Sequence, residues 1–380
     1  MTLSQSTRPS VAVIGAGAFG GWTALTLVRR GARVTLVDAF GPGNSRASSG
    51  GETRIIRALY PERIYVRMSV RALEIWKDHE TRWGMKLLRQ NGFLRLVSGS
   101  DPLNERAAAL FAEAGLPLEQ FTPAEAARRF PRIHFGGIDR AIFDPSAGYL
   151  PARRGCALVA DAVQKEGGEY RELGAQPGEI RGRELRSLAL SDGSSLTADH
   201  YVFACGPWMG TLFPDVIGSR IQALRREVWF FGAPAGDRGF QDYHFPCWGD
   251  SVEHYYGVPG NEWRGFKIGE ERYTVPFDPT SGDRTPSPEA LKAAREYLKF
   301  RFPALAGAPL VESRVCQYES TPDKHLIVDR HPKAANVLLL GGGSGHGYKL
   351  GAAVGEMAAD LIYARRSVEP LLALARFEKA

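Results

Sequence analysis

Apolar and polar positions along this chain follow two periods, and the switches between them divide it. A β-branched run at 11–14 leads into a glycine turn, an uncharged apolar stretch continues to Val28, and a second strand pattern at 33–37 closes on Asp38. This succession predicts strand, turn, helix and strand. Ile64, Met68, Ile75 and Trp76 recur at helical spacing and predict an amphipathic helix over 63–83. From Gly92 the pattern changes to a strand at 93–97 and two Ala-rich helices at 103–114 and 123–130. A helix over 152–166 follows, then short strands at 185–190 and 194–196. An apolar strand at 201–204 running into Cys205-Gly206-Pro207-Trp208 reads as another sheet edge.

Strands and aromatic residues dominate 221–320, with strands at 228–231, 254–258, 264–268 and 311–318. One helix interrupts them, with Ser287 as N-cap, Pro288 at its first position and 289–301 as its body. The stretch 326–361 returns to an α/β pattern, with a buried strand at 337–340, a glycine-rich turn and a helix over 348–361. The predicted fold class is α/β plus α+β. A Rossmann-like domain is expected from residues 1–91, 151–220 and 321–380, and an antiparallel-sheet domain from 92–150 and 221–320. At 380 residues the chain exceeds the size one core usually serves.

Composition adds mostly exclusions. Hydrophobic content of 44% and charged content of 24% are those of a globular protein. The 48 basic residues outnumber the 42 acidic ones, for a net charge of +6. They are scattered in pairs such as Arg29-Arg30, Arg128-Arg129 and Arg365-Arg366, which favours steering of a small anion over nucleic-acid binding. Cys156, Cys205, Cys247 and Cys316 form no C-x-x-C pair, so neither a metal site nor a disulfide framework is expected, and reduced thiols fit a cytoplasmic protein. The uncharged stretch 11–28 carries its glycines in phosphate-loop spacing, unlike a leader peptide or a membrane span.

Gly15, Gly17 and Gly20 follow the first strand in G-x-G-x-x-G spacing. The first permits the tight turn, the second lets backbone approach a pyrophosphate, and the third lets the helix pack close to the strand. Asp38 stands where a carboxylate accepts hydrogen bonds from ribose hydroxyls and repels a 2′-phosphate, which disfavours NADP. NAD and FAD remain equal on this fingerprint. The loop 39–57 is expected to wrap the rest of the cofactor, offering Ser48, Ser49 and Thr53 hydroxyls beside Arg46, Arg54 and Arg57. The strand and turn at 201–208 are expected to close over it.

A second glycine turn tilts the choice. Gly341, Gly342, Gly343, Gly345 and Gly347, interleaved with Ser344 and His346, make either a packing turn or a nest of backbone N–H groups at a helix N-terminus. A reduced flavin, being anionic, suits such a nest, and Lys349 adds a full positive charge. Period-two alternation puts Arg314, Cys316 and Tyr318 on one strand face; a cysteine beside a cation ionises readily, although a lone strand cysteine more often packs in a core. Lys267 points away from the face shared by Phe266 and Ile268, towards a site or towards solvent, the latter being favoured without further context. His346 suits proton transfer and backbone placement equally.

Taken together, GAGAFG, VDAF, SSGGETRIIR, CGPW, EHYYGVP, GFKIG, VCQYESTPDKHLIVDRHP and GSGHGYK resemble the monomeric sarcosine oxidase and N-methyltryptophan oxidase group of the D-amino-acid oxidase superfamily, with similarity to pipecolate and fructosyl amino acid oxidases. The resemblance implies a D-amino-acid oxidase-like fold with an FAD-binding and a substrate domain, and FAD attached by a thioether from Cys316 to the flavin 8α position. It implies that Lys267, with Arg54 nearby, promotes flavin reoxidation by O2, that Arg57 and Lys349 hold the substrate carboxylate, and that Tyr255 and Tyr318 line the pocket. Glu271 replaces the histidine that the sarcosine enzymes carry four residues beyond the lysine, which suits a substrate with a second, cationic group. The implied reaction is hydride transfer from a secondary or N-substituted amino acid to flavin, imine hydrolysis and H2O2 release by a monomer. A dehydrogenase with another acceptor, or a flavin-binding subunit of a larger complex, remains the alternative.

Overall fold

The computed structural model describes residues 8–272 and 275–378; residues 1–7, 273–274 and 379–380, which fall within the expected domain spans, lie outside the described residues. Two large sheets organise the chain. The first runs Ile327–His331, Ala334–Gly341, His200–Phe203, Ser10–Ile14, Arg33–Asp38, Glu169–Glu172, parallel throughout except for its first, antiparallel pair. Its inner strands carry buried apolar runs, among them Val11–Ile14 and Val337–Leu340, because both faces of the sheet are covered there. His200–Phe203 was expected at a sheet edge and is instead interior, between Ser10–Ile14 and Ala334–Gly341. The physical reason is that Tyr201, Val202 and Phe203 are all buried, and an edge strand has no neighbour to bury them against.

Helix Ala18–Arg29 packs on helix Gly351–Ile362, although more than three hundred residues separate them. Glycine makes the approach possible. A Cβ on Gly351 would meet Ala18 O at 2.8 Å, and one on Gly355 would meet Trp22 O at 2.7 Å. The predicted helix over 348–361 begins as a tight 3₁₀ turn, Tyr348–Leu350, before the α-helix.

The second sheet follows the order Val275–Pro276, Gln222–Phe231, Phe266–Glu270, Tyr255–Val258, Cys247–Asp250, Phe93–Val97, Arg140–Asp144, Glu119–Phe121, with Leu310–Ser320 also pairing Gln222–Phe231. It is antiparallel, as expected, except where Cys247–Asp250 meets Phe93–Val97 in parallel. The parallel pair arises because it joins strands from separate stretches of chain, with no hairpin between them. Trp229, Phe231, Trp248, Phe266 and Phe302 fill the core on one face.

Helix Pro288–Arg301 covers that core, capped as the sequence indicates by Ser287 Oγ accepting the Ala290 N–H at 3.2 Å. Its last residue, Arg301, is fully buried and donates through Nε to Asp250 Oδ2 at 2.8 Å, while Tyr297 OH reaches the same carboxylate at 3.2 Å. Removing one partner of a buried pair strands the other charge, at a cost of about 3–5 kcal/mol. Arg301→Met is therefore expected to lower the unfolding free energy by about that much, with the double change Arg301→Met, Asp250→Asn recovering part of it. Denaturant unfolding checks this, and a loss below about 1 kcal/mol would contradict it.

Candidate functional site

A cavity of about 950 Å³ lies between the two sheets, near the upper end of the roughly 300–1,000 Å³ usual for small-molecule and cofactor sites. One end is built by the glycine fingerprint. Gly15 takes φ +103°, open to glycine alone at low cost, and donates its N–H to Val37 O at 2.7 Å. A Cβ on Gly20 would fall 1.8 Å from Gly15 O, so this glycine sets the helix-to-strand contact. Gly17 begins helix Ala18–Arg29, and the Ala18 N–H donates to Ser49 Oγ at 3.1 Å, which docks the 39–57 loop against the helix start. Asp38 accepts the Ala16 N–H through Oδ2 at 2.7 Å and the Phe40 N–H through Oδ1 at 2.9 Å. Burial raises its pKa while these donors oppose the rise. Its carboxylate lines the cavity, and a carboxylate has about four acceptor sites in all, so it can also take a hydroxyl.

Thr53 is the hub of the middle section. Its carbonyl accepts Arg54 Nη1 at 2.9 Å and Lys267 Nζ at 3.1 Å, and its hydroxyl lies 3.4 Å from the same Nζ. Arg54 also donates to Ser48 O at 2.6 Å. Lys267 is only 3% exposed, so the solvent orientation favoured for it in isolation is corrected: Phe266 and Ile268 enter the aromatic core and Lys267 faces the cavity. Burial, followed by the charge of Arg54, pushes its pKa down to about 7. Cys316 is a free, half-buried thiol in the cavity wall, paired across the sheet with Arg226.

At the far end stands the 341–347 turn, with Gly342 at φ +68°, Ser344 at φ +45° and Gly345 at φ +79°. Several of its N–H groups are already engaged. Gly343 donates to Glu319 Oε1 at 3.1 Å, Ser344 to Glu319 O at 2.8 Å and His346 to Gly343 O at 2.8 Å. The nest is thus partly filled by Glu319, whose carboxylate also accepts the Ser48 hydroxyl at 3.3 Å and whose pKa burial raises. Gly345 and Gly347 line the cavity beside it. His346 has both ring nitrogens engaged, Nδ1 with Tyr60 OH at 3.1 Å and Nε2 with Lys324 O at 2.9 Å, and burial pushes its pKa down to about 3. A neutral imidazole so held positions the turn.

Arg57 and Lys349 converge on Tyr60. The Lys349 ammonium donates to Tyr60 OH at 3.0 Å and His346 O at 3.2 Å, and the Arg57 guanidinium lies 5.0 Å from the Tyr60 ring and 5.3 Å from that of Phe93. Burial first, then the charge of Arg57, depresses the pKa of Lys349 well below its usual value. Tyr318 lines the same region, its OH accepting from Arg226 Nε at 2.9 Å and Nη2 at 2.6 Å. Glu271 is exposed at the rim.

The expectation for Tyr255 is corrected. Strand alternation sends it into the core, stacked on Tyr297 at 4.0 Å between ring centres, and puts Tyr256 in the cavity wall. Tyr60, Arg95, Arg226, Tyr256 and Glu319 are lining residues that sequence reasoning missed. The only advance signals were an acid inside the VCQYES strand and the YY doublet, whose phase one strand read alone leaves open.

A Rossmann-like sheet with its fingerprint opening into one long cavity defines a dinucleotide-binding oxidoreductase. The chain belongs to the DAO family of FAD dependent oxidoreductases, whose family model matches residues 10–361. It is similar to monomeric sarcosine oxidase of Bacillus sp. (strain NS-129), 31% identical over 94% of this chain and 93% of that one. It is also similar to peroxisomal sarcosine oxidase of Homo sapiens, 31% identical over 92% and 90% respectively. Among solved structures, L-proline dehydrogenase from P. horikoshii superposes with a TM-score of 0.85 over 99% of both chains at 22% identity, a likeness of fold. Among the described residues no helix is long and apolar enough to cross a membrane, and no group of three His, Cys, Asp or Glu side chains could hold a metal ion.

The Lys267 environment yields a pH prediction for cofactor-free protein. Between pH 7 and 10.5 the unfolded chain holds a proton on Lys267 that the folded chain has released, so its contribution makes stability rise with pH across that window. Lys267→Met is expected to flatten this slope and to stabilise the protein most below pH 7. Thermal melts from pH 6 to 10 measure it, and parallel curves for wild type and variant would refute the buried lysine.

Proposed function

We propose that the protein oxidises the C–H bond beside the nitrogen of a secondary or N-substituted amino acid, of sarcosine-like, N-methyl, cyclic or glycated type, with FAD as cofactor and O2 as final acceptor, giving an imine that water hydrolyses and H2O2. The carrying observation is the convergence of Arg57 and Lys349 on Tyr60 at the end of a dinucleotide-type cavity. The similarity to proteins named sarcosine oxidases supports the reading.

The residues present fit FAD. Gly15, Gly17 and the start of helix Ala18–Arg29 would hold the pyrophosphate, Asp38 the ribose, and Gly343, Gly345, His346 and Gly347 the flavin end, with Ser48, Ser49, Thr53 and Arg54 along the wall. Residues 1–91, 151–220 and 321–380 are read as the FAD-binding domain, with 92–150 and 221–320 contributing the substrate side. When bound, FAD supplies a two-electron acceptor for the substrate hydride. Cys316 is read as the anchor for a thioether link.

Arg57 and Lys349 grip the substrate carboxylate. Burial and then the charge of Arg57 disfavour the ammonium form of Lys349, and a carboxylate between the two side chains offsets both by supplying a counter-charge. Two charged donors fix the orientation of the α-carbon, and positioning of this kind is a large part of catalytic rate. Tyr60 orients both cations and Tyr256 closes the wall. Lys267, with a pKa near 7 and Thr53 O as acceptor, can hold or release a proton at Nζ, the property required of a group that assists O2 reduction.

A peroxide-coupled screen of N-methyl, cyclic and glycated amino acids under air is expected to find turnover. Arg57→Met should then lower kcat/KM for acid substrates roughly tenfold to a hundredfold, the value of a charged hydrogen bond. Flavin reduction without peroxide would assign a different electron acceptor. Acid-precipitated wild type is expected to stay yellow while Cys316→Ser releases its flavin; a colourless wild-type pellet would refute the covalent link.

A further inference from the structure

Strand Phe93–Val97 turns Leu94 and Leu96 into the aromatic core and leaves Phe93 and Arg95 on the cavity side. The Phe93 ring carries the Arg57 guanidinium at 5.3 Å. Two residues further along a strand is about 7 Å, so Arg95 is the next cation on the same wall. Its cross-strand neighbours are Gly249 and Ile142, neither of which offers a side-chain acceptor. Gly249 makes room for it: a Cβ there would lie 3.2 Å from Arg95 Nη1 and 3.0 Å from Phe93 Cζ.

Among the described residues Arg95 makes no ion pair and no hydrogen bond, although it is half-buried. The carboxylates that act on it do so at a distance. Asp250 is engaged by Arg301 and Tyr297 on the core side, Asp101 caps helix Pro102–Glu113 through the Asn104 N–H, and Glu271 is exposed at the rim. A partly desolvated cation without a counter-charge is costly, and such groups mark ligand sites. Arg226, further round the wall, has Nη1 buried without a partner among the described residues. Among the described residues lining this end of the cavity, the cations Arg57, Arg95, Arg226, Arg272 and Lys349 outnumber the acids Glu270, Glu271 and Glu319, and Glu319 is already engaged by the Gly343 N–H. Glu271 alone suggests a cationic substrate group; the surrounding charge argues the reverse.

We propose that the substrate carries a second carboxylate, on its side chain or N-substituent, and that Arg95 receives it while Arg57 and Lys349 hold the first. The specificity would then be for an N-substituted amino diacid, a refinement that rests on the reading of the site as one for N-substituted amino acids.

The test compares kcat/KM of the holoenzyme for N-methylglycine, N-methylglutamate and N-methyllysine, together with binding of glutarate and butyrate followed by the flavin absorption spectrum. Glutarate should bind at least tenfold tighter than butyrate, and the diacid should be the best substrate. Arg95→Met should reduce the diacid-to-monoacid ratio roughly tenfold to a hundredfold, with Arg95→Lys keeping part of it. Gly249→Ala, whose Cβ would crowd Arg95 Nη1 at 3.2 Å and Phe93 Cζ at 3.0 Å, should move the ratio the same way and serves if the arginine variants do not fold. A preference for N-methyllysine, or equal loss on every substrate in Arg95→Met, would overturn the proposal. The two readings fail separately: if no N-substituted amino acid reduces the flavin, the proposed reaction falls while glutarate binding still decides the role of Arg95; if all are turned over equally, only the diacid proposal falls.

Discussion

The close contact between helices Ala18–Arg29 and Gly351–Ile362 is the constraint on which the cavity depends. Any side chain at Gly351 or Gly355 would drive the two backbones apart. Because the helices touch, the glycine turns after Ser10–Ile14 and Ala334–Gly341 stand on one sheet, at the carboxyl ends of parallel strands with only His200–Phe203 between them, where open α/β sheets bind ligands. Everything chemical follows from that adjacency. In the proposed reading the first turn holds the pyrophosphate and the second the flavin end, and the mixed sheet supplies the opposite wall.

Along that wall the dominant physical quantity is positive charge held out of water. Lys267 and Lys349 are both buried, Arg57 rests on two aromatic rings, and Arg95 is half-buried. In a folded chain such groups are a liability, since burial favours their neutral forms and like charges repel. An anionic ligand converts the liability into affinity. The same arrangement explains why the glycine turn near the C-terminus is a less open nest than its composition suggests: Glu319 already occupies part of it, and the positive field at this end comes chiefly from side chains.

Local patterns were legible where local physics decides them. The amphipathic helix Arg63–Trp83, the strand Phe93–Val97 and the Ser287-capped helix agree with the sequence reading to within a residue, because period and cap chemistry are contained in the segment itself. What failed depended on partners distant in sequence. The strand Cys247–Asp250 is four residues long and contains Gly249, so it shows no period to read. Choosing Tyr256 over Tyr255 required the pairing register of Tyr255–Val258, and the unpaired state of Arg95 is visible only once its cross-strand neighbours are known. Lys267 is the clearest case, since the same GFKIG segment serves an exposed edge or a buried wall until the sheet order is given.

The central claim is that paired cations at one end of an FAD cavity select an amino acid by its carboxylate. Anaerobic mixing of the purified holoenzyme with N-methyl amino acids, and in parallel with the amines that lack only the carboxyl group, tests this most directly through bleaching of the oxidised flavin band. The account predicts bleaching by at least one of the amino acids and none, at equal concentration, by its decarboxylated counterpart. Equal bleaching by both members of the pair would contradict it.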